Sequence, residues 1–521
     1  MATVRPTADR ARSGRRDVRA VRRHRVPAWW SDAKLGIFVH WTPASVPAFA
    51  TVDVEIGTLL ARRDPQAMAW SPYSEWYENS LRFPDSPAAR HHAEVYGTRP
   101  YHEFAADWEA ALDGWDPDGW AERFAATGAR YVVLVTKHHD GYCLWPTEVA
   151  NPHRPGFHSA RDVVGELAEA VRARGLRFGV YYSGGLDWTF NDHPIGAFSD
   201  LLAAQPRGDY VAYAEAHVRE LIRRYRPSVL WNDISWPAPV ARLAGLLQEY
   251  YEAVPDGVVN DRFMPWSPLW AVAASPPGRH LLDRLSARSA AADQGIVPPK
   301  PPLFDVRTPE YTVFDTVQPT PWECVRGIDR SFGHNQMSDE QHFLPRHELV
   351  WSLADITAKG GNLLLNVGPR GEDATIAEAQ LRRLEWLAAF TADCGEALFA
   401  TRPWVHPAGL TDSPTGPLDV RYTARDSTVF ALLRPSTGDS ADDSADSSAD
   451  GSADDSVTEA VAAPASVVLA EVQGMPTTTV TRLDGTPLVC ETTTAGLRVD
   501  LDALPTPDGP IGIALHHVEA R

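Results

Sequence analysis

Short apolar runs that stop abruptly on polar side chains recur between Leu35 and Pro369. Leu35–Val39 ends on His40 and Trp41, and the run from Ala129 to Val135 ends on Thr136, Lys137, His138, His139 and Asp140. Leu176–Tyr182 ends on Ser183, Val229–Trp231 on Asn232 and Asp233, and Val258–Val259 on Asn260, Asp261 and Arg262. An apolar run bounded in this way predicts a parallel strand buried on both faces. Helical patterns fall between the runs, at Pro117–Thr127, Ser159–Arg174, Asp209–Tyr225 and Pro239–Ala253. Strands starting near residues 35, 130, 177, 228, 257, 312, 327 and 362 make eight, so the chain reads as α/β with a (β/α)8-like TIM barrel.

Two stretches break the alternation. From Thr42 to about Pro100 the chain is rich in Pro, Ala, Ser and aromatics and reads as a long loop over the first strand's carboxyl end. From Trp266 to Pro302 a Pro- and Ala-rich insertion shows no clear period and is expected to decorate the mouth of a site. Past Ala400 the pattern changes to short β-rich runs, at Leu418–Tyr422, Val429–Arg434, Ala465–Val472, Thr478–Leu483 and Ile511–His517, which predicts a β-sandwich. The expected organisation is a disordered basic arm over residues 1–26, a catalytic barrel over 27–400, and a C-terminal β-sandwich over 401–521. An acidic low-complexity insertion at about 437–459, too polar to bury apolar area, interrupts the sandwich.

Composition narrows the function. At 521 residues the chain exceeds one barrel, and a net charge of −19 argues against a nucleic-acid surface. Residues Met1–Val26 are Arg-rich without an apolar core, so neither a secretory signal nor a membrane span is expected, and a cytoplasmic enzyme is the simplest reading. Cys143, Cys324, Cys394 and Cys490 lie far apart without a paired spacing, which predicts buried free thiols rather than zinc ligands or a disulfide framework.

The polar strand ends carry the candidate chemistry. In a parallel barrel the carboxyl ends of the strands form the active-site face, so Asp233, flanked by Trp231 and Trp236, stands where a catalytic carboxylate would. The plain alternative is a strand-end aspartate capping the next helix. His138 and His139 are neighbours on a strand, where adjacent side chains point to opposite faces, and no H-E-x-x-H spacing accompanies them. They suit hydroxyl recognition better than a metal. There is no G-x-S-x-G elbow and no phosphate-cradling loop. Carboxylates among aromatics and histidines remain, the equipment of a sugar site; Trp faces also stack on pyranose rings, although most of the 18 Trp residues must be core.

The segments LGIFVHW (35–41), SEWY (74–77), TKHHDGYCLW (136–145), VYYSGGLDW (180–188), VLWND (229–233), VVNDR (258–262), TPEY (308–311) and GGNLLLNVGP (360–369) resemble, in order, those of family 29 glycoside hydrolases, the α-L-fucosidases. The resemblance spans about residues 28–400. It implies an exo-acting retaining fucosidase without metal or cofactor, acting on a fucosylated oligosaccharide or glycoconjugate. It also implies a nucleophile at Asp233, an acid/base at Glu310, and sugar contacts from His40, Glu75, Trp76, His138, His139, Tyr181, Trp231 and Arg262. The family usually has glycine where this chain has Thr42, and the 266–302 insertion is longer than the family's. In a retaining pair the carboxyl groups stand about 5–5.5 Å apart, one attacking the anomeric carbon while the other protonates the leaving oxygen. Glu75 and Glu323 are further candidates for the acid/base, Glu323 having Arg326 as an alternative partner. Two other functions stay open, a retaining exo-glycosidase for a stereochemically related sugar and a non-catalytic sugar-binding protein. Neither linkage specificity nor oligomeric state can be read from these motifs.

Overall fold

The computed structural model describes residues 17–293, 295–436, 465–506 and 508–521. Seven strands pair in parallel: β1 (Leu35–Val39), β2 (Tyr131–Lys137), β3 (Arg177–Tyr182), β4 (Val229–Asn232), β5 (Val258–Val259), β6 (Trp322–Gly327) and β7 (Gly361–Val367), in the order β5-β4-β3-β2-β1-β7-β6. This is the expected α/β barrel sheet, with one stave of a different kind. The strand expected near residue 312 is replaced by the segment 305–311, which bridges the edges instead of forming a ladder. Asn260 pairs with Val306 on one side, while Arg307 pairs with Trp322 and Glu310 with Val325 on the other. Its hydrogen bonds run to Val259 O from the N–H groups of Asp305 (3.1 Å) and Val306 (3.2 Å), and from Tyr311 N–H to Val325 O (2.9 Å). Pro309 has no N–H to give a ladder, so the segment reads neither by period nor by propensity as a strand.

Inward-facing residues of the staves form one core, including Phe38, Tyr131, Val133, Tyr181, Val229, Trp231, Val258, Val306, Val325 and Leu364. Gly36 on β1 makes room for this packing. A Cβ there would lie 2.3 Å from the Tyr131 ring, whose hydroxyl reaches Glu323 Oε2 at 2.7 Å.

The stretch expected as a loop from Thr42 to about Pro100 is irregular over more than half its length but carries short helices, among them Ile56–Ala61, Tyr77–Leu81 and Pro87–Val95. The insertion also folds, into Leu269–Ala273 and the 18-residue helix Pro276–Asp293. Residues 17–26, expected within a disordered arm, are ordered: residues 17–21 are helical, and His24 stacks on Tyr251 with ring centroids 3.8 Å apart and meets Asp305 Oδ1 at 2.9 Å. Residues 1–16 and the whole of the expected acidic insertion lie outside the described residues.

The chain divides into two compact units, residues up to Pro345 with Gly360–Ala388, and Arg346–Lys359 with the residues from Ala389 onward. The second unit holds a six-stranded antiparallel sheet and a three-stranded one. The larger contains β8 (Arg402–Ser413), β9 (Gly416–Arg425), β10 (Thr428–Pro435), β12 (Val472–Arg482), β13 (Pro487–Leu488) and β16 (Ile511–Ala520). The smaller contains β11 (Ala465–Leu469), β14 (Cys490–Thr493) and β15 (Gly496–Leu501). Alternate side chains such as Leu418, Val420, Tyr422, Leu497, Val499 and Leu501 share one core, the period-2 pattern of half-buried strands. Cys143, Cys324 and Cys394 are buried thiols, whereas Cys490 on the edge strand β14 is partly exposed. Among the described residues no helix is long and apolar enough to cross a membrane.

Gly36→Ala drives a methyl group into a ring that the closed core cannot move, which is expected to cost about 1–3 kcal/mol. A chemical-denaturation midpoint equal to that of the wild type would contradict this reading of the β1–β2 contact.

Candidate active site

At the carboxyl ends of the barrel staves the chain builds a cavity of about 400 Å³ whose lining includes His40, Glu75, Trp76, His138, Tyr181, Trp231, Asp233, Arg262 and Glu310. Nine of the ten residues singled out from the sequence therefore face one space. The tenth, His139, lies behind it with Nε2 3.8 Å from Asp233 Oδ2.

The carboxylates are organised by one guanidinium. Arg262 Nη1 lies 3.4 Å from Asp233 Oδ1 and Nη2 donates to Glu310 Oε2 at 2.9 Å. Asp233 also accepts from Tyr181 OH at 2.8 Å and from the Ile234 N–H at 2.8 Å. Burial pushes its carboxyl above the ordinary aspartate range, against the pull of Arg262 and these donors, while the neighbouring Glu310 adds to the rise. Glu310 accepts a second hydrogen bond, from Tyr73 OH at 2.7 Å.

The dipeptide after β5 fixes the rest. Asp261 accepts from Arg307 Nε at 2.6 Å and from Thr308 Oγ1 at 2.6 Å, clamping the closing stave; Arg262 Nε donates to Thr308 Oγ1 at 3.2 Å and Nη2 to Thr308 O at 3.1 Å. Both residues that follow the carboxylates adopt left-handed backbone, Ile234 with φ 65° and Tyr311 with φ 54°. For a β-branched residue that conformation is costly, and it turns the chain sharply away just after Asp233.

Histidines supply acceptors. Ser183 Oγ donates to Leu186 O at 2.8 Å, so it must accept from His139 Nδ1 at 2.7 Å, which leaves His139 Nε2 with its lone pair. By the same reasoning Asn366 donates its amide to Phe332 O and its Oδ1 accepts from His40 Nδ1, leaving His40 Nε2 as an acceptor. Burial lowers His40 to about 3 and takes His138 and His139 well below the usual histidine range, so all three are neutral. The two adjacent histidines do not point to opposite faces as expected of a strand. β2 ends at Lys137 after a register shift, and the His138 and His139 rings lie 4.0 Å apart, with His138 stacked on Tyr181.

Glu75 accepts from the Gly333 N–H at 2.9 Å, where a side chain at Gly333 would strike Ser74 Oγ at 2.5 Å. Burial raises Glu75 to about 7. Glu323 is different: it does not reach the cavity. Fully buried, it accepts from Tyr131 OH at 2.7 Å and Trp231 Nε1 at 3.1 Å, and burial raises it to about 7. Its expected partner Arg326 instead lies over the Tyr311 ring at 5.9 Å. Tyr73, Asp261, Thr308 and Asn366 escaped the sequence reading as functional groups. Tyr73 directly precedes SEWY and Asp261 lies within VVNDR, so adjacency to a motif was the signal for both.

The family model described as alpha-L-fucosidase matches residues 3–396. The chain belongs to the α-L-fucosidase family. It is a glycoside hydrolase. It is 29% identical over 426 residues to the tissue α-L-fucosidase of Mus musculus, covering 79% of each chain, and 30% identical over 431 residues to an α-L-fucosidase of Branchiostoma floridae, covering 78% of this chain and 79% of that one. Among solved structures it superposes on Thermotoga maritima α-fucosidase in complex with a mechanism-based inhibitor, with TM-score 0.73, 33% identity, and 96% and 98% of the two chains covered. The same fucosidase in complex with fucose gives TM-score 0.72, with 32% identity and 95% and 98% covered. These fucosidases share the barrel and the antiparallel β domain of this enzyme.

A carboxyl raised on folding contributes stability that is fully present below its unfolded pKa, about 4.3 for glutamate, and that is lost as pH rises through the folded value. Glu323 sits in that case with a folded value of about 7. The melting temperature of Glu323→Gln, relative to wild type, is therefore expected to climb as pH is raised across this window. Thermal melts that stay parallel over the whole interval would disprove an uncharged, buried Glu323 at low pH.

Proposed function

We propose that this enzyme is a retaining exo-α-L-fucosidase that works by double displacement through a covalent fucosyl-enzyme, releasing terminal fucose from oligosaccharides or glycoconjugates. One observation carries the reading: Asp233 and Glu310, on different staves, meet the two terminal nitrogens of Arg262 at the base of the cavity. In the first step an Asp233 oxygen attacks the anomeric carbon, the glycosidic C–O bond breaks, and the proton of Glu310 goes to the leaving oxygen. In the second step water attacks the same carbon, Glu310 takes its proton, and the ester bond to Asp233 breaks. Arg262 balances charge through both steps by facing whichever carboxylate is ionised.

Recognition follows from the protonation pattern. His40 Nε2 and Glu75 offer acceptors to ring hydroxyls, and a sugar with a missing or inverted hydroxyl leaves one of them buried and unpaired. Trp76, His138, Tyr181 and Trp231 give ring faces and edges around them. A 6-deoxy sugar also needs an apolar place for its methyl group, which Phe38 and Phe332 at the same base supply.

Asp233→Gly is expected to lower kcat by several orders of magnitude while the protein stays folded, with partial rescue by azide entering from the vacated side. Near-wild-type turnover in that variant would end the assignment. For Glu310→Ala, an aryl fucoside with a good leaving group should keep a fast first step, whereas a fucosyl sugar should react far more slowly. Equal losses on the two substrates would move the acid role to another group, Glu75 being the remaining carboxylate in the cavity.

A further inference from the structure

The cavity has two chemically different parts. Its base is the polar cluster described above, and its outer wall is almost entirely hydrocarbon. Three helical segments build that wall, each presenting residues three or four apart and so on one face: Ile56 and Leu60, Phe198 and Leu201, and Leu282 with Leu285. The third comes from the insertion helix Pro276–Asp293. That helix is latched to the Phe198–Asp200 turn, because Asp283 accepts from Ser199 N–H at 2.8 Å and from Ser199 Oγ at 2.9 Å, and Arg279 pairs with Asp200. Leu285 remains 50% exposed among the described residues, an apolar side chain held at an open mouth.

We infer that this outer wall is the leaving-group site and that it takes an apolar alcohol, making α-L-fucosides of alkyl or aryl alcohols preferred over fucosylated sugars. The inference rests on the fucosidase reading above. The position of the wall decides that it faces the leaving group. Ile296 exchanges both backbone hydrogen bonds with Glu310, at 2.9 and 2.8 Å, so the strip Ile296–Pro299 adjoins the residue assigned to protonate the departing oxygen.

The chemistry of the wall decides the class of alcohol. The N–H and C=O of Ile296 are already spent on Glu310, Pro298 O accepts from Arg307 Nη2 at 2.8 Å, and Pro298 and Pro299 have no N–H. Ser286 brings a hydroxyl; the polar side chains Arg63, Asp64, His280, Asp283 and Arg284 line a neighbouring hollow beyond Leu60 and Phe198. A sugar placed against this strip would find fewer partners for its hydroxyls than in water, which is unfavourable, whereas each methylene buried there favours binding roughly fourfold. The cavity, at about 400 Å³, has room for more than one deoxyhexose.

The test compares kcat/KM for methyl α-L-fucoside, n-hexyl α-L-fucoside and an α-L-fucosyl-galactose disaccharide. Methyl and hexyl alcohols have nearly the same acidity, so their ratio reports the wall and not the leaving group's chemistry. The expected result is a hexyl-to-methyl ratio of about ten or more and a hexyl rate above that of the disaccharide. In the double variant Leu282→Ser with Leu285→Ser the ratio should fall toward one. A ratio near one in the wild-type enzyme, or a disaccharide cleaved faster than the hexyl fucoside, overturns the inference while leaving the fucosidase reading intact. Hydrolysis of none of the three, nor of an aryl α-L-fucoside, overturns both.

Discussion

Two carboxylates near each other in a desolvated cavity cannot both stay ionised without a cation, and Arg262 is that cation. Its guanidinium is held in place by the Thr308 side chain and backbone, and Thr308 is held by Asp261, the residue just before Arg262. A two-residue motif at the end of a two-residue strand thus fixes the closing stave with one side chain and the charge balance with the next. A largely buried charge network of this kind costs desolvation and is strongly destabilised when one member is removed, so its justification is geometric rather than energetic. It sets where each carboxylate can point.

Around that network the polar groups are arranged so that nothing else needs to ionise. Neutral His40 and His139 present lone pairs because Asn366 and Ser183 take the protonated ring nitrogens, a relation visible only once β1, β2, β3 and β7 stand side by side. The left-handed residues Ile234 and Tyr311 belong to the same design: each strand end turns off at once, which keeps the following backbone from filling the space above the carboxylate. Strain of this kind survives only where the surrounding core dictates it, and here both neighbours are packed against the barrel interior.

The apolar runs carried most of the barrel, because a strand buried on both faces leaves an unbroken hydrophobic signature and a polar end where it meets the cavity. β1, β2, β3 and β4 were legible for that reason, as were His40, Tyr181 and Asp233 at or near their ends. The closing stave was not, since residues 305–311 are held by bridges to both edges and contain Pro309; its identity is a tertiary fact. Glu310 was reached through TPEY, not through a strand pattern. The histidine pair was misjudged geometrically because strand alternation stops at Lys137. The helix Pro276–Asp293 was hidden by prolines at its start and by an apolar face that looks outward into a cavity instead of inward to a core. In the second unit, β15 alternates Leu497, Val499 and Leu501 as a half-buried strand should, but so short a segment between turns carries little signal.

The excursion from residue 263 to 304 leaves the barrel after β5 and returns directly into the stave that bears Glu310. The groups proposed to read the sugar ring come largely from the other staves and from the segment around Glu75. On that proposal, ring recognition and leaving-group recognition are separate inheritances on one scaffold. A lineage could lengthen, shorten or recolour this excursion, exchanging one class of acceptor environment for another, without renegotiating the contacts that define which sugar is held.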